Sequence, residues 1–116
     1  MSELSDLTYD VLLKLWPWCT IFKEYYIKYK NTKLFFDFYI KELQLAIEVQ
    51  GRQHSEFVKY FHGDREGFLK ACRRDNLKKE YCDMNGIVLI EIYSKDDLDK
   101  DRLLSALFKK LKGANK

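Results

Sequence analysis

The stretch that decides the fold is residues 33–50, KLFFDFYIKELQLAIEVQ. Apolar side chains alternate with others through 34–40 and again through 43–49, and a period of two is typical of β-strands. Residues 21–30 are also rich in aromatic and β-branched side chains. We therefore predict three consecutive strands in an antiparallel meander. Their bounds are 21–30, 33–40 and 43–50, with tight turns at Asn31-Thr32 and Lys41-Glu42.

The flanking segments predict helices and a fourth strand. A short helix over 8–16 ends at Pro17, and a longer one from about 65 to 85 ends at Asn85-Gly86. The apolar run 87–93 predicts a strand buried on both faces, and 95–111 an amphipathic helix. The predicted order is α-β-β-β-α-β-α, an α/β fold whose mixed central sheet is flanked by helices.

Composition limits the classes of protein to consider. The 116 residues, 47% of them hydrophobic, suit a single domain over 1–116, with 113–116 as a loose tail. No apolar run exceeds four residues, and the first ten resemble no signal peptide, so we expect no membrane association. The three scattered cysteines fit neither a disulfide framework nor a paired-cysteine zinc site, which favours a reducing, cytoplasmic location.

Charge is uneven along the chain. The total is +3, but residues 52–79 hold eight basic and four acidic side chains. A solvated charged face and a phosphate-facing surface explain this excess equally well.

Two carboxylates are predicted to meet on the sheet. A turn centred between Lys41 and Glu42 sets Asp37 opposite Ala46 and makes Glu48 its diagonal neighbour, roughly 7–8 Å away between Cα atoms. Such a gap suits two carboxylates that share one hard cation. In the same way Glu24 becomes diagonal to Asp37, and Gln50 extends the polar row.

The alternative is that this row is the solvent face of a half-buried sheet. Aromatic residues predicted on the same face favour a covered site instead, where carboxylates need a partner. These residues are Phe22, Tyr26, Phe35 and Tyr39.

On the helix over 65–85, Asp75 falls within an apolar arc, where an unpaired charge is costly. Two explanations stay open: an ion pair with Lys79 one turn on, or a hydrogen bond to a catalytic group, for which His54 is the nearest candidate.

The ordered set LFFDFYI, AIEVQGRQH, RRDNLKKEYC and LIEIY resembles the PD-(D/E)XK nuclease superfamily. More narrowly, it is similar to the branch of very-short-patch mismatch repair endonucleases and of homing endonucleases with a Glu/Asp/His/Asp site. The resemblance covers residues 9–93. It implies a restriction-endonuclease-like core and a DNA endonuclease that depends on Mg²⁺ or Mn²⁺.

The resemblance also assigns site residues. Asp37 and Glu48 would bind the metal together with the backbone carbonyl of Val49. Gln50 stands where the superfamily has its usual lysine. Lys78 or Lys79 could supply the missing ammonium group from the helix instead.

His54, oriented by Asp75, would accept a proton or contact phosphate. Phe36 replaces the proline of the superfamily name. The acid expected on the first helix is unassigned among Asp10, Glu3 and Glu24.

The predicted partner is DNA. Candidate phosphate contacts are Arg52, Lys59, Arg73, Arg74 and Lys78. Three aromatic residues of the predicted loop could insert between bases or form a small additional hydrophobic cluster. They are Phe57, Tyr60 and Phe61. A domain this small is expected to act as a homodimer or to be recruited by a protein partner. The rival functions are an inactive nucleic-acid-binding module, favoured by Gln50, and a small protein-binding scaffold.

Overall fold

The computed structural model describes residues 3–50 and 65–114, with side chains up to 109. Within these ranges the order of elements is the predicted one. The elements are α1 (Glu3–Leu15), β1 (Ile21–Tyr29), β2 (Thr32–Ile40), β3 (Leu45–Val49), α2 (Arg65–Met84), β4 (Val88–Ile92) and α3 (Lys100–Ala114). Short 3₁₀ turns at Lys41–Leu43 and Lys95–Leu98 precede β3 and α3.

The four strands form one mixed sheet in the order β1-β2-β3-β4. The first three are antiparallel neighbours, which confirms the predicted meander, and β4 runs parallel to β3. A parallel neighbour requires a crossover, and α2 lies in the connection between β3 and β4. The general class is therefore α/β, with helices packed on a mixed sheet.

Both predicted hairpin registers are wrong by two positions. The first turn is centred on Lys30-Asn31, both left-handed at φ 50° and 61°, so Tyr29 pairs with Thr32. The second connection contains the 3₁₀ turn and the left-handed Gln44, so Ala46 pairs with Tyr39. A shift of two does not by itself change the face of a side chain, because side chains alternate with that period. Tyr26 and Phe35 nevertheless lie on the face opposite to Glu48, so the prediction that these rings share the face of the carboxylates is wrong.

The predicted single apolar stripe along β2 is also wrong. Leu34 and Phe36 pack with residues of α2, whereas Phe38 and Ile40 pack with residues of α1 and α3. The change of face occurs at Asp37. The described β1–β2 ladder contains the pairs Lys23↔Phe38 and Tyr25↔Phe36, but it contains no pair between them for Asp37. Glu24, which the flanking pairs would set opposite Asp37, has a left-handed φ of 50°, and no regular strand contains this conformation. Alternate residues of β2 therefore point to one face of the sheet before this position and to the opposite face after it.

Two hydrophobic clusters cover the two faces of the sheet. The first is built around Leu12, Trp16, Phe38, Ile40, Leu45, Ile47, Val88, Ile90, Ile92, Leu103 and Leu107. The second, on the α2 side, contains Ile27, Leu34, Phe36, Ala46, Leu77, Cys82 and Leu89. No helix among the described residues has both the length and the apolar character needed to cross a bilayer.

Candidate active site

Asp37 lies at the point where β2 changes face, and it is close to β3. Its Oδ2 accepts a hydrogen bond from the backbone amide of Val49 at 2.7 Å. The β2–β3 ladder ends at Phe38↔Ile47, and continuing its register by one residue would set Asp37 opposite Glu48 rather than diagonal to it as predicted. The two carboxyl groups interact, because Asp37 contributes to the raised pKa of Glu48.

Glu48 is the only charged residue that is buried among those that the structure describes, with 7% of its surface exposed. Lys78 reaches it from α2, and the lysine Nζ lies 2.5 Å from Glu48 Oε1. The side chain of Lys78 is itself only 18% exposed. A carboxylate under cover needs such a partner, because desolvation of an isolated charge is costly.

Burial raises the pKa of Glu48 to about 8. The ammonium of Lys78 opposes this rise in the pKa, whereas the neighbouring carboxyl of Asp37 adds to it. Glu48 therefore lies between a cation that favours its charged form and an acid that disfavours it. This is the electrostatic setting in which a bound cation would stabilise both carboxylates.

The raised pKa of Glu48 predicts how stability depends on pH. The ordinary pKa is 4.5, so between that value and pH 8 the folded protein keeps a proton that the unfolded chain has lost. Stability therefore falls as the pH rises from about 5 to 8. We expect Glu48→Gln to flatten the plot of melting temperature against pH. Glu80, whose side chain is 42% exposed and whose pKa is lowered by its bond to Lys30, is the matched control: Glu80→Gln should leave the fall in place. An unchanged slope in Glu48→Gln would contradict the assignment.

Of the two candidate lysines, the structure places Lys78 at the carboxylates. Lys79, one residue further along α2, is exposed. Gln50, where the resemblance expects a lysine, is half-buried beyond the end of β3, and its backbone N–H donates to the carbonyl of Ile92 at 2.7 Å. The ammonium near the two carboxylates thus comes from the helix and not from the strand.

Two residues near the site escaped the sequence analysis. Glu91 on β4 pairs in parallel register with Glu48, and its carboxylate accepts a hydrogen bond from the hydroxyl of Tyr93. That bond raises the pKa of Tyr93 to about 12, and the nearby charge of Asp75 adds to the rise. The signal was present in the motif LIEIY, because a single acidic residue interrupts a strand that is otherwise apolar.

Other predicted residues lie away from the carboxylates or outside the described part of the chain. Asp75 is half-buried, and its charge contributes to the raised pKa of Tyr93. Its predicted partner His54 falls within 51–64, outside the described residues. The same applies to Arg52, Lys59, Phe57, Tyr60 and Phe61. Arg73 and Arg74 are exposed on α2.

The three candidates for the first-helix acid, Glu3, Asp10 and Glu24, are all exposed. Glu3 and Asp10 belong to α1, which packs on the sheet face opposite α2. The structure therefore brings neither of them to Asp37 and Glu48.

Asp37 and Glu48 are donors of the type that a hard divalent cation prefers, but they are two acidic side chains rather than three. Within residues 3–50 and 65–114, no group of three His, Cys, Asp or Glu side chains could hold a metal ion. Two carboxylates with a backbone carbonyl, as predicted from Asp37, Glu48 and Val49, need no third acidic side chain. Oxygen donors of this kind are those that Mg²⁺ and Mn²⁺ prefer.

The chain is similar to uncharacterized viral proteins. It is 38% identical over 69 residues to uncharacterized protein 307L of Invertebrate iridescent virus 6, over 59% of the chain and 35% of that protein. It is 46% identical over 65 residues to uncharacterized protein 094L of Frog virus 3, over 54% of the chain and 42% of that protein. The chain thus spans less than half the length of these curated relatives. No family model and no solved structure matches it.

Proposed function

We propose that this protein is a metal-dependent DNA endonuclease that hydrolyses phosphodiester bonds on a restriction-endonuclease-like core. The observation that carries the proposal is the meeting of Asp37, Glu48 and Lys78 on the α2 face of the sheet. Two acids and one ammonium at this place are the elements that the resemblance requires of a nuclease site.

A purely structural ion pair explains the arrangement less well. A buried pair is on average no more stabilising than apolar side chains of similar volume. The second acid Asp37 makes a structural pair worse, since it raises the pKa of Glu48 further. Such an arrangement is favoured where a further cation binds between the acids, and strongly shifted pKa values are typical of functional sites.

Asp37, Glu48 and the carbonyl of Val49 would hold Mg²⁺ or Mn²⁺. Such an ion supplies charge stabilisation at a phosphoryl group and lowers the pKa of a bound water. The amide of Val49 fixes Asp37, so the strand backbone orients this carboxylate before any substrate arrives.

Lys78 takes the role of the missing strand lysine in this proposal. An ammonium has three donors, so Lys78 can keep its bond to Glu48 and direct another N–H towards a phosphate oxygen. Its positive charge then stabilises negative charge that develops on the phosphoryl group.

The proposed DNA contacts lie on the same helix and in the segment before it. Arg73 and Arg74 are exposed on α2, one turn before Lys78. With Arg52 and Lys59 they would bind backbone phosphates, which position the duplex without reading its sequence. His54 stays the proposed proton acceptor or phosphate contact.

The test is cleavage of supercoiled plasmid by the purified protein with Mg²⁺ or Mn²⁺. We expect nicked or linear product that disappears in EDTA and whose ends carry a 5′-phosphate and a 3′-hydroxyl. DNA binding without cleavage under either ion would contradict the proposal. That result would favour the second candidate, an inactive nucleic-acid-binding module, which Gln50 supports.

A further inference from the structure

The β1–β2 hairpin carries a second surface that the proposed nuclease site does not use. Tyr26 pairs with Phe35 across the hairpin, and Lys28 pairs with Lys33. Residues two apart on a strand share a face, so these four side chains form one strip. Their neighbours Tyr25, Ile27, Tyr29, Leu34 and Phe36 pack in the α2-side cluster, so the strip faces the opposite way.

The aromatic pair of this strip is exposed. Tyr26 and Phe35 are 46% and 52% exposed, and their ring centroids lie 5.3 Å apart. Neither residue belongs to the two clusters formed by the described core. Large aromatic side chains on the solvent face of a sheet are unusual, because that face ordinarily carries polar residues. About half of the surface of each residue is therefore open to a partner.

The lysine pair makes the same strip positive. Like charges directly opposite each other destabilise a hairpin. No acidic side chain among the described residues forms an ion pair with Lys28 or Lys33, whereas Lys30 is bound by Glu80 at 2.6 Å. Residues 25–36 contain no Asp or Glu at all. The charge of the strip is therefore complementary to a polyanion.

We infer that this strip, formed by Tyr26, Lys28, Lys33 and Phe35, binds an unpaired strand of nucleic acid. Aromatic rings next to lysines are the combination that single strands use, because bases stack on the rings while phosphates meet the ammonium groups. A duplex hides its base faces, so it would use only the lysines. A protein partner would need acidic residues to satisfy the lysines and gains little from so small an aromatic patch.

The strip is separate from the carboxylates, since it lies on the other face of the sheet, on the end of the β1–β2 hairpin next to its turn. The inference is independent of hydrolysis, and its test contains EDTA throughout. Failure of binding at the strip and failure of cleavage at Asp37 are therefore distinct results.

The experiment measures fluorescence anisotropy of a labelled single strand of about 20 nucleotides, longer than one binding site of roughly 4–16 nucleotides. We expect Tyr26→Thr/Phe35→Thr to weaken binding at least about tenfold, because stacking on each ring is lost. Lys28→Gln/Lys33→Gln should lower the slope of log K against log salt by about 1.4, since each phosphate contact on a single strand contributes about 0.7.

Two controls keep the test decisive. The lysine double variant removes a like-charge pair, so its melting temperature should equal or exceed that of the parent protein. Lys100→Glu at the start of α3, next to the opposite edge of the sheet, changes charge without touching the strip and should leave strand binding within twofold. If both double variants bind the strand like the parent, or if a duplex binds as tightly as the strand, the inference is wrong.

Discussion

Asp37→Asn and Glu48→Gln should each lower metal-dependent plasmid cleavage by about a thousandfold. A metal ion contributes several kcal/mol to charge stabilisation at phosphorus, and each 1.4 kcal/mol corresponds to about tenfold in rate. Each substitution keeps the shape of the side chain but removes one negative ligand. In Asp37→Asn the amide oxygen can still accept the hydrogen bond from Val49, so the strand stays in place.

The matched control is Asp83→Asn, which removes an exposed carboxylate from α2. Its cleavage rate should stay within about twofold of the parent. Glu48→Gln removes the acid whose pKa is raised by burial, so above pH 8 it should melt no lower than the parent. Loss of cleavage in a variant that melts normally identifies a functional defect. Cleavage at the parental rate in either variant would rule out these carboxylates as metal ligands.

Lys78→Met should lower the rate of cleavage by about a hundredfold to a thousandfold, which is the usual cost of removing one preorganised charge donor. Methionine is one atom shorter than lysine but retains most of the side chain that packs near Phe36, over whose ring the ammonium lies at 5.9 Å. The substitution also raises the pKa of Glu48 further, because the ammonium is what opposes the rise. At pH 8 and above we therefore expect a lower melting temperature, equivalent to about 1–3 kcal/mol, because the buried carboxylate loses its partner.

Lys79→Met is the control for this prediction, since it changes the adjacent and exposed lysine. Its stability should lie within about 0.5 kcal/mol of the parent and its cleavage within a few-fold. The double variant Glu48→Gln/Lys78→Met should recover much of the stability lost in Lys78→Met but none of the cleavage, because no unpaired carboxylate then remains. Equal losses in Lys78→Met and Lys79→Met would overturn the assignment of Lys78.

The order of elements along the chain was predictable because it depends on local sequence pattern. The change of period from helix to strand after Pro17 and the alternation through 34–49 specified three strands, and the helical period over 65–85 specified the crossover. The registers were not predictable, since a 3₁₀ turn and a left-handed Gln44 lengthen a connection that looks like a tight turn. The error was confined to two positions because an odd shift would move every apolar residue to the wrong face.

The change of face at Asp37 could not be predicted from the local sequence pattern. Alternation through Leu34, Phe36, Phe38 and Ile40 looks continuous in the sequence, yet the first two belong to one core and the last two to the other. Apolar residues suit either face equally well, so hydrophobicity alone cannot show where a strand changes face. The position of helices on both sides of the sheet decides it.

The sequence by itself determined the α/β class, the order of elements and the meeting of two acids from neighbouring strands, because these depend on period and parity along the chain. Only the tertiary structure decided which cation meets those acids. Lys78 and Lys79 lie about 100° apart around α2, and the docking of that helix on the sheet turns one towards Glu48 and the other to solvent. Helix docking results from packing between distant residues, which no local pattern records.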